Sequence, residues 1–153
     1  MIIGITGHRV INDTYDEKDY MHQFVKKELK RYFQELKPSA IISGMAIGSD
    51  TYAAEIAIEL NIPFIAAIPF KGQELFWPKS SQERYHYLLS KASKVEIISP
   101  GGYAGWKMHS RNIWIVDNCG LLLVIYKEGS VGGTKKCMDY AKICNKEIKI
   151  ISV

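Results

Sequence analysis

No stretch of this chain comes near the ~18–20 consecutive apolar residues that a membrane-crossing helix needs, which excludes a helical membrane protein. A disulfide scaffold is equally remote. The three cysteines, Cys119, Cys137 and Cys144, are odd in number and show no CxxC spacing. Cys137, Ala141 and Cys144 instead share one stripe of an expected helix, the pattern of buried core thiols. His22, His86 and His109 are scattered without metal-ligand spacing, so no metal site is expected. There is no repeat, linker or low-complexity tract. Charge of one sign is scarce too. The net charge of +4 lies mostly in Lys26-Lys27, Lys30-Arg31 and Lys135-Lys136, interspersed with acids as on solvated helix faces. That balance admits an anionic ligand without demanding nucleic acid. Met1-Ile2-Ile3-Gly4 enters a strand with no basic leader, and the expectation is a cytoplasmic protein.

What is present fits one domain over residues 1–153, with 47% hydrophobic content to fill its core. Ile2 to Thr6 reads as a first strand, followed by a turn at Gly7-His8-Arg9. Thr14-Tyr15-Asp16-Glu17 has the form of a capping box, so a helix is expected to begin there. Val25, Leu29, Tyr32, Phe33 and Leu36 are its buried stripe, and Pro38 stops it. Ala40-Ile41-Ile42 is a second strand and Thr51 to Leu60 a second helix, whose Ala53, Ala54 and Ala57 allow close packing on a sheet. Ile62 to Ile68 is a third strand. After the aromatic loop Phe70 to Pro78, Ser80-Ser81-Gln82-Glu83 forms a second capping box. Val95 to Ile98, Leu121 to Tyr126 and Glu147 to Val153 are the remaining strands. Helices over Ala104–Asn118 and Lys135–Cys144 separate them.

Six strands alternating with five helices predict a right-handed, doubly wound, mostly parallel six-stranded sheet with helices on both faces. In such sheets ligands bind beyond the carboxyl ends of the strands, where strand order reverses. Three glycine-bearing turns leave such ends: Thr6-Gly7-His8-Arg9, Ser43-Gly44-Met45-Ala46-Ile47-Gly48-Ser49-Asp50, and Gly129 to Thr134. Gly132-Gly133-Thr134 before a helix suits a phosphate, offering backbone N–H groups, a hydroxyl and the positive helix end. Gly44, Gly48 and Gly133 are each expected to need a positive φ or a close backbone approach. Neither a Walker loop nor a GxGxxG fingerprint is present.

Arg9 offers a planar fork to a phosphate or carboxylate, or else pairs with Asp50 to tie two loops together. His8 is a second donor or a proton-transfer group. Phe70, Trp77, Tyr103 and Trp106 are flat surfaces in or near loops, suited to stacking on a base. Gln73 lies in the same aromatic loop. Arg111 and Asn112 sit mid-helix, facing either the cleft or an acid on a helix surface. Ile113 to Val116, with Trp114, packs into the core or against a second copy.

Taken together, Thr6 to Arg9, Ser43 to Asp50 with Ala53-Ala54-Glu55, Pro69 to Gln73 with Trp77, Gly101 to Ala104, Arg111-Asn112 and Gly132 to Thr134 run in order through nearly the whole chain. By these motifs the sequence resembles the SLOG superfamily, and within it the YpsA-like branch. That superfamily has a Rossmann-like fold and includes the DNA-processing protein DprA and the LOG phosphoribohydrolases. The resemblance implies a pocket for a nucleotide or an ADP-ribose-like ligand, with no further cofactor. LOG enzymes carry a glutamate three residues after the threonine of their PGGxGT motif. Cys137 stands at that position here, which departs from their N-glycosidic chemistry. The expectation is therefore a nucleotide-binding sensor. Its ligand would contact Thr6, Gly7, His8, Arg9, Ser43, Gly44, Met45, Gly48, Ser49, Asp50, Phe70, Gln73, Trp77, Arg111, Asn112, Gly132, Gly133 and Thr134. The rival readings are a nucleotide glycosidase using Asp50 or Glu55, and single-stranded DNA binding, which would want a basic groove with exposed aromatics.

Overall fold

Six strands and five helices alternate along the chain, as the apolar pattern predicts. The computed structural model describes all 153 residues. The strands are β1 (Ile2–Gly7), β2 (Ala40–Ser43), β3 (Phe64–Ile68), β4 (Lys94–Ile97), β5 (Leu121–Tyr126) and β6 (Glu147–Ser152). The helices are α1 (Tyr20–Leu36), α2 (Ser49–Glu59), α3 (Lys79–Lys91), α4 (Gly105–Asn118) and α5 (Gly133–Ile143). One sheet holds all the strands in the order β4-β3-β2-β1-β5-β6. Every pairing is parallel, so the sheet is parallel throughout.

Strand order reverses at β1. From there β2, β3 and β4 step one way while β5 and β6 lie on the other side. This places α1, α2 and α3 on one face and α4 and α5 on the other. The alternation within β5 shows the partition. Leu121, Leu123 and Ile125 join Val25, Leu29 and Phe33 of α1 and the alanines of α2 in one core. Leu122, Val124 and Tyr126 join Ile115 and Val116 of α4 and Cys137, Met138 and Ala141 of α5 in the other. All six residues of β5 are buried, as befits a central parallel strand, whereas β4 and β6 at the edges are largely exposed. Burying a side chain such as Phe33 or Leu29 stabilises the fold by about 1.5–3 kcal/mol.

The structure corrects several boundaries. The first helix begins at Tyr20, not Thr14, because Asp19 is the capping residue and accepts from the N–H groups of Met21 and His22. Thr14 and Asp16 cap tight turns instead, each accepting from the backbone two residues on. The second capping box is also absent. Helix α3 starts at Lys79 after Pro78, and Ser80 makes no cap bond. Asn61, at φ 57°, turns the chain out of α2, so β3 begins at Phe64 rather than Ile62. Cys144 ends α5 exposed, while Cys119 and Cys137 are buried, so the shared core stripe stops at Ala141. Ile115 and Val116 are core residues and Trp114 packs half-buried beside them.

Candidate functional site

At the reversal point the chain leaves the carboxyl ends of β1 and β5 towards opposite faces of the sheet, and the loops there border a cavity of about 760 Å³. That volume lies within the ~300–1,000 Å³ of small-molecule sites. Thr6, Gly7, His8 and Arg9 line it from the turn after β1. Asp50 lines it from α2, and Phe70, Gln73 and Trp77 from the aromatic loop. Arg111 and Asn112 reach it from α4, and Gly133 and Thr134 from the start of α5.

Of the other expected contacts, Ser43, Gly44, Met45, Gly48 and Ser49 are buried and do not line the cavity, and Gly132 is exposed. Ser43 is wholly buried, its hydroxyl donating to the Asp50 carbonyl at 2.8 Å and accepting from the Met45 N–H at 3.1 Å. Met45 itself packs into the core. Gly44 lets α4 close on the loop, since a Cβ there would stand 2.4 Å from Arg111 Nη1. Gly48 has φ 89°, and a Cβ would meet the Arg9 carbonyl at 2.6 Å. Gly132 carries the positive φ, 120°, at the start of α5, whereas Gly133 shows neither a positive φ nor a close neighbour. Glu55 is away from the cavity. It binds Arg84 of α3, which also grips Glu17.

The two helix starts differ in what they offer an anion. The first turn of α2 is already engaged: the Ser49 hydroxyl and N–H both donate to the His8 carbonyl, at 2.8 and 3.3 Å. That turn also carries its own carboxylate, Asp50. The start of α5, like that of α2, has no side-chain cap, but it carries no acid in its first turn. Its first N–H groups lack intrahelical acceptors and present the positive helix end to the cavity. Of the two turns, only the one after β5 leads into a helix start with neither a carboxylate of its own nor a hydrogen bond from its first residue to a neighbouring carbonyl.

Asp50 and Arg111 form the buried polar floor. Arg111 Nη1 donates to the Gly44 carbonyl at 2.7 Å and Nε donates to Asn112 Oδ1 at 2.9 Å. Gln73 Nε2 donates to the same Gly44 carbonyl at 3.1 Å. Asp50 Oδ2 accepts from the Ala46 N–H at 3.2 Å, while Oδ1 is buried without a partner. Burial raises the Asp50 pKa against the opposing charge of Arg111, and burial lowers that of Arg111 against Asp50. Arg9 does not pair with Asp50. It is exposed, its guanidinium 5.9 Å from the Trp77 ring centroid.

His8 joins the loops on either side of the reversal point. Its Nε2 accepts from the Lys127 N–H at 2.9 Å, and burial, then the charge of Lys127, lowers its pKa. Tyr126 donates its hydroxyl to the Ser130 carbonyl at 2.7 Å, pinning the loop before α5. Phe70 is buried edge-to-face against Tyr103 at 5.8 Å. The sequence reading missed Lys107, whose Nζ donates to the carbonyls of Pro100 and Gly102 at 2.6 Å each and so holds Tyr103 at the rim. It missed Lys71 as well, a further cation in the cavity wall. The Pro100-Gly101-Gly102 turn ahead of α4 was the available signal.

A model of the YspA SLOG family matches residues 3–153. The chain belongs to the YspA SLOG family. A UPF0398 protein of Oceanobacillus iheyensis is similar to this member, 25% identical over 99% of this chain and 88% of its own length. A UPF0398 protein of Bacillus cereus is 23% identical, over 92% and 82% respectively. Among solved structures, DNA processing protein A of Streptococcus pneumoniae superposes with a TM-score of 0.70 at 21% identity, over 97% of this chain. This chain spans about half of that protein, 49% of its length. The Helicobacter pylori counterpart, described for its single-stranded DNA binding mode, gives 0.71 at 16% identity, over 98% of this chain and 64% of its own. At these identities the two structures share the fold with this YspA SLOG protein, and no more. No helix of the chain is long and apolar enough to cross a membrane.

Proposed function

We propose that the cavity binds a nucleotide or a nucleotide-derived, ADP-ribose-like ligand, and that the protein is a sensor or regulator rather than an enzyme. One observation carries this reading: the uncapped start of α5, the guanidinium groups of Arg9 and Arg111, and the flat ring of Trp77 all border a single cavity. The helix end and the two cations suit phosphate, and the aromatic ring suits a base. Family membership supports a nucleotide as the class of ligand. The test is calorimetric titration with ADP-ribose, ADP and AMP, for the wild type and for Arg9→Ala. A charge-assisted contact with phosphate contributes about 1.5–3 kcal/mol, so the variant should bind roughly ten- to a hundredfold more weakly while melting normally. Unchanged affinity would remove Arg9 from the site.

The buried, unpartnered Oδ1 of Asp50 favours a second reading, hydrolysis of a nucleotide's N-glycosidic bond. Asp50 would then stabilise positive charge at the anomeric carbon. Against it, Glu55 is committed to Arg84, and Cys137, at the position where LOG enzymes place their glutamate, is a buried thiol pushed up to about 11 by burial.

A further inference from the structure

A second cavity, of about 470 Å³, lies beside the first, between the start of α2, the start of α3 and the turn before α1. It too falls in the size range of a ligand site. Arg9, Phe76 and Trp77 border both cavities, so the two adjoin along these residues. The side chains of Arg9 and Phe76 are exposed, with Phe76 96% accessible, and the aromatic contact of Arg9 is with Trp77, the third residue of this border.

The interior of this second cavity is built. Trp77 and Tyr85 meet edge-to-face with centroids 5.3 Å apart, forming an aromatic corner. Tyr52 and His22, both buried, form its polar floor. His22 Nε2 faces the carbonyls of Ile11 and Thr14 at 3.0 and 2.9 Å and donates to them, so Nδ1 accepts from the Tyr52 hydroxyl at 2.7 Å. The remaining charged wall is Glu17, held by Arg84 at 2.6 Å and by Lys26 at 3.0 Å. Arg84 is itself saturated by Glu17 and Glu55. The cavity therefore has no cation free for phosphate except Arg9 at its border. It offers aromatic faces and a carboxylate acceptor.

We propose that this second cavity is a subsite for a flat ring bearing N–H donors, so that the full ligand has two ring ends joined through phosphate, one end in each cavity. One ring lies in the corner of Trp77 and Tyr85 and gives its exocyclic N–H to Glu17. Arg9, at the passage, meets the phosphate that links the two halves. This inference rests on the first cavity holding nucleotide phosphate.

The experiment compares ADP with diadenosine pyrophosphate by calorimetry. Wild type should bind the two-ended compound at least tenfold more tightly, the order expected for one additional stacked base. Ser81→Trp, which fills the second cavity from the half-buried start of α3, should abolish that advantage and leave ADP affinity unchanged. Tyr15→Ala removes an exposed wall and should reduce the advantage severalfold. Its ring is 62% accessible, so folding is undisturbed, and this variant decides if Ser81→Trp loses ADP binding as well. Equal affinity of wild type for both compounds overturns the proposal, as does an advantage that survives both substitutions. Failure of ADP itself to bind places the fault in the first cavity and removes the foundation of the second.

Discussion

Gly48 and Gly133 stand at the starts of two helices that the sequence treats alike, yet the structure separates them. Gly48 combines φ 89° with a Cβ position 2.6 Å from backbone, so Gly48→Val should destabilise the fold by several kcal/mol and expose the protein to denaturant. Gly133 has open space around its Cβ position. Gly133→Val should therefore melt close to wild type, yet crowd the helix start proposed to hold phosphate and weaken ADP binding by about tenfold or more. Thermal melts and titrations of both variants check this, and normal binding by a folded Gly133→Val protein would remove the start of α5 from the site. The thiols divide in the same way. Cys144 is exposed and should label with a thiol reagent rapidly, while Cys137, buried and shifted up to about 11, should label only as fast as the protein opens. Mass spectrometry of timed labelling reads both. From sequence alone the two cysteines share a helical stripe, and only the end of α5 at Ile143 tells them apart.

At the scale of elements, long continuous apolar runs were the most legible. Leu121 to Tyr126 matches β5 residue for residue because Gly120 and Lys127 bound an unbroken hydrophobic segment. Helix starts were less legible, since Thr14 to Glu17 satisfies a capping pattern while Asp19 supplies the cap that forms. What decides between them is not local. Glu17 is drawn out of any helix by Arg84, which bridges it to Glu55 and so ties the turn before α1 to α2 and α3. The bond to Arg84, then that to Lys26, holds the Glu17 carboxyl at about 2, below its ordinary 4.5. A depressed carboxyl pKa means stability that is present above about 4.5 and is lost as pH falls towards about 2. Glu17→Gln should accordingly lower stability at neutral pH by no more than about 1 kcal/mol, because the pair is partly exposed to solvent. The gap between variant and wild type should close on acidification through that window. Urea titrations at pH 7 and pH 3 measure it, and a gap that stays constant between the two would show that the bridge does not contribute through charge.

At the scale of the whole molecule, the sheet order was legible only as a class. Alternating strands and helices require a parallel sheet, but nothing in the residues of β5 states that it pairs with β1 rather than extending the β4 edge. That pairing creates the reversal point and brings Arg111 of α4 beside Asp50 of α2, a juxtaposition no local spacing encodes. The result is a cavity with a positive helix end, two arginines and one buried carboxylate. Backbone N–H groups and guanidinium groups hold a charged ligand without performing chemistry on it, whereas glycosidic cleavage needs a carboxylate at the anomeric carbon. With Glu55 tied to Arg84 and a protonated thiol at Cys137, the one carboxylate lining the first cavity is Asp50. Incubation with AMP, NAD and ADP-ribose should thus give saturable binding and no base release by chromatography. Base release that Asp50→Asn abolishes would overturn the sensor and establish the glycosidase. Single-stranded DNA separates the remaining reading. The basic residues of the chain are interspersed with acids, and a net charge of +4 supports few simultaneous phosphate contacts. Oligonucleotide binding should be weak and fall steeply between 50 and 200 mM salt, roughly as the number of phosphates neutralised. Tight binding that persists at high salt would require base stacking on the exposed rings of Phe76, Tyr103 and Trp106, and would make DNA the ligand of this surface.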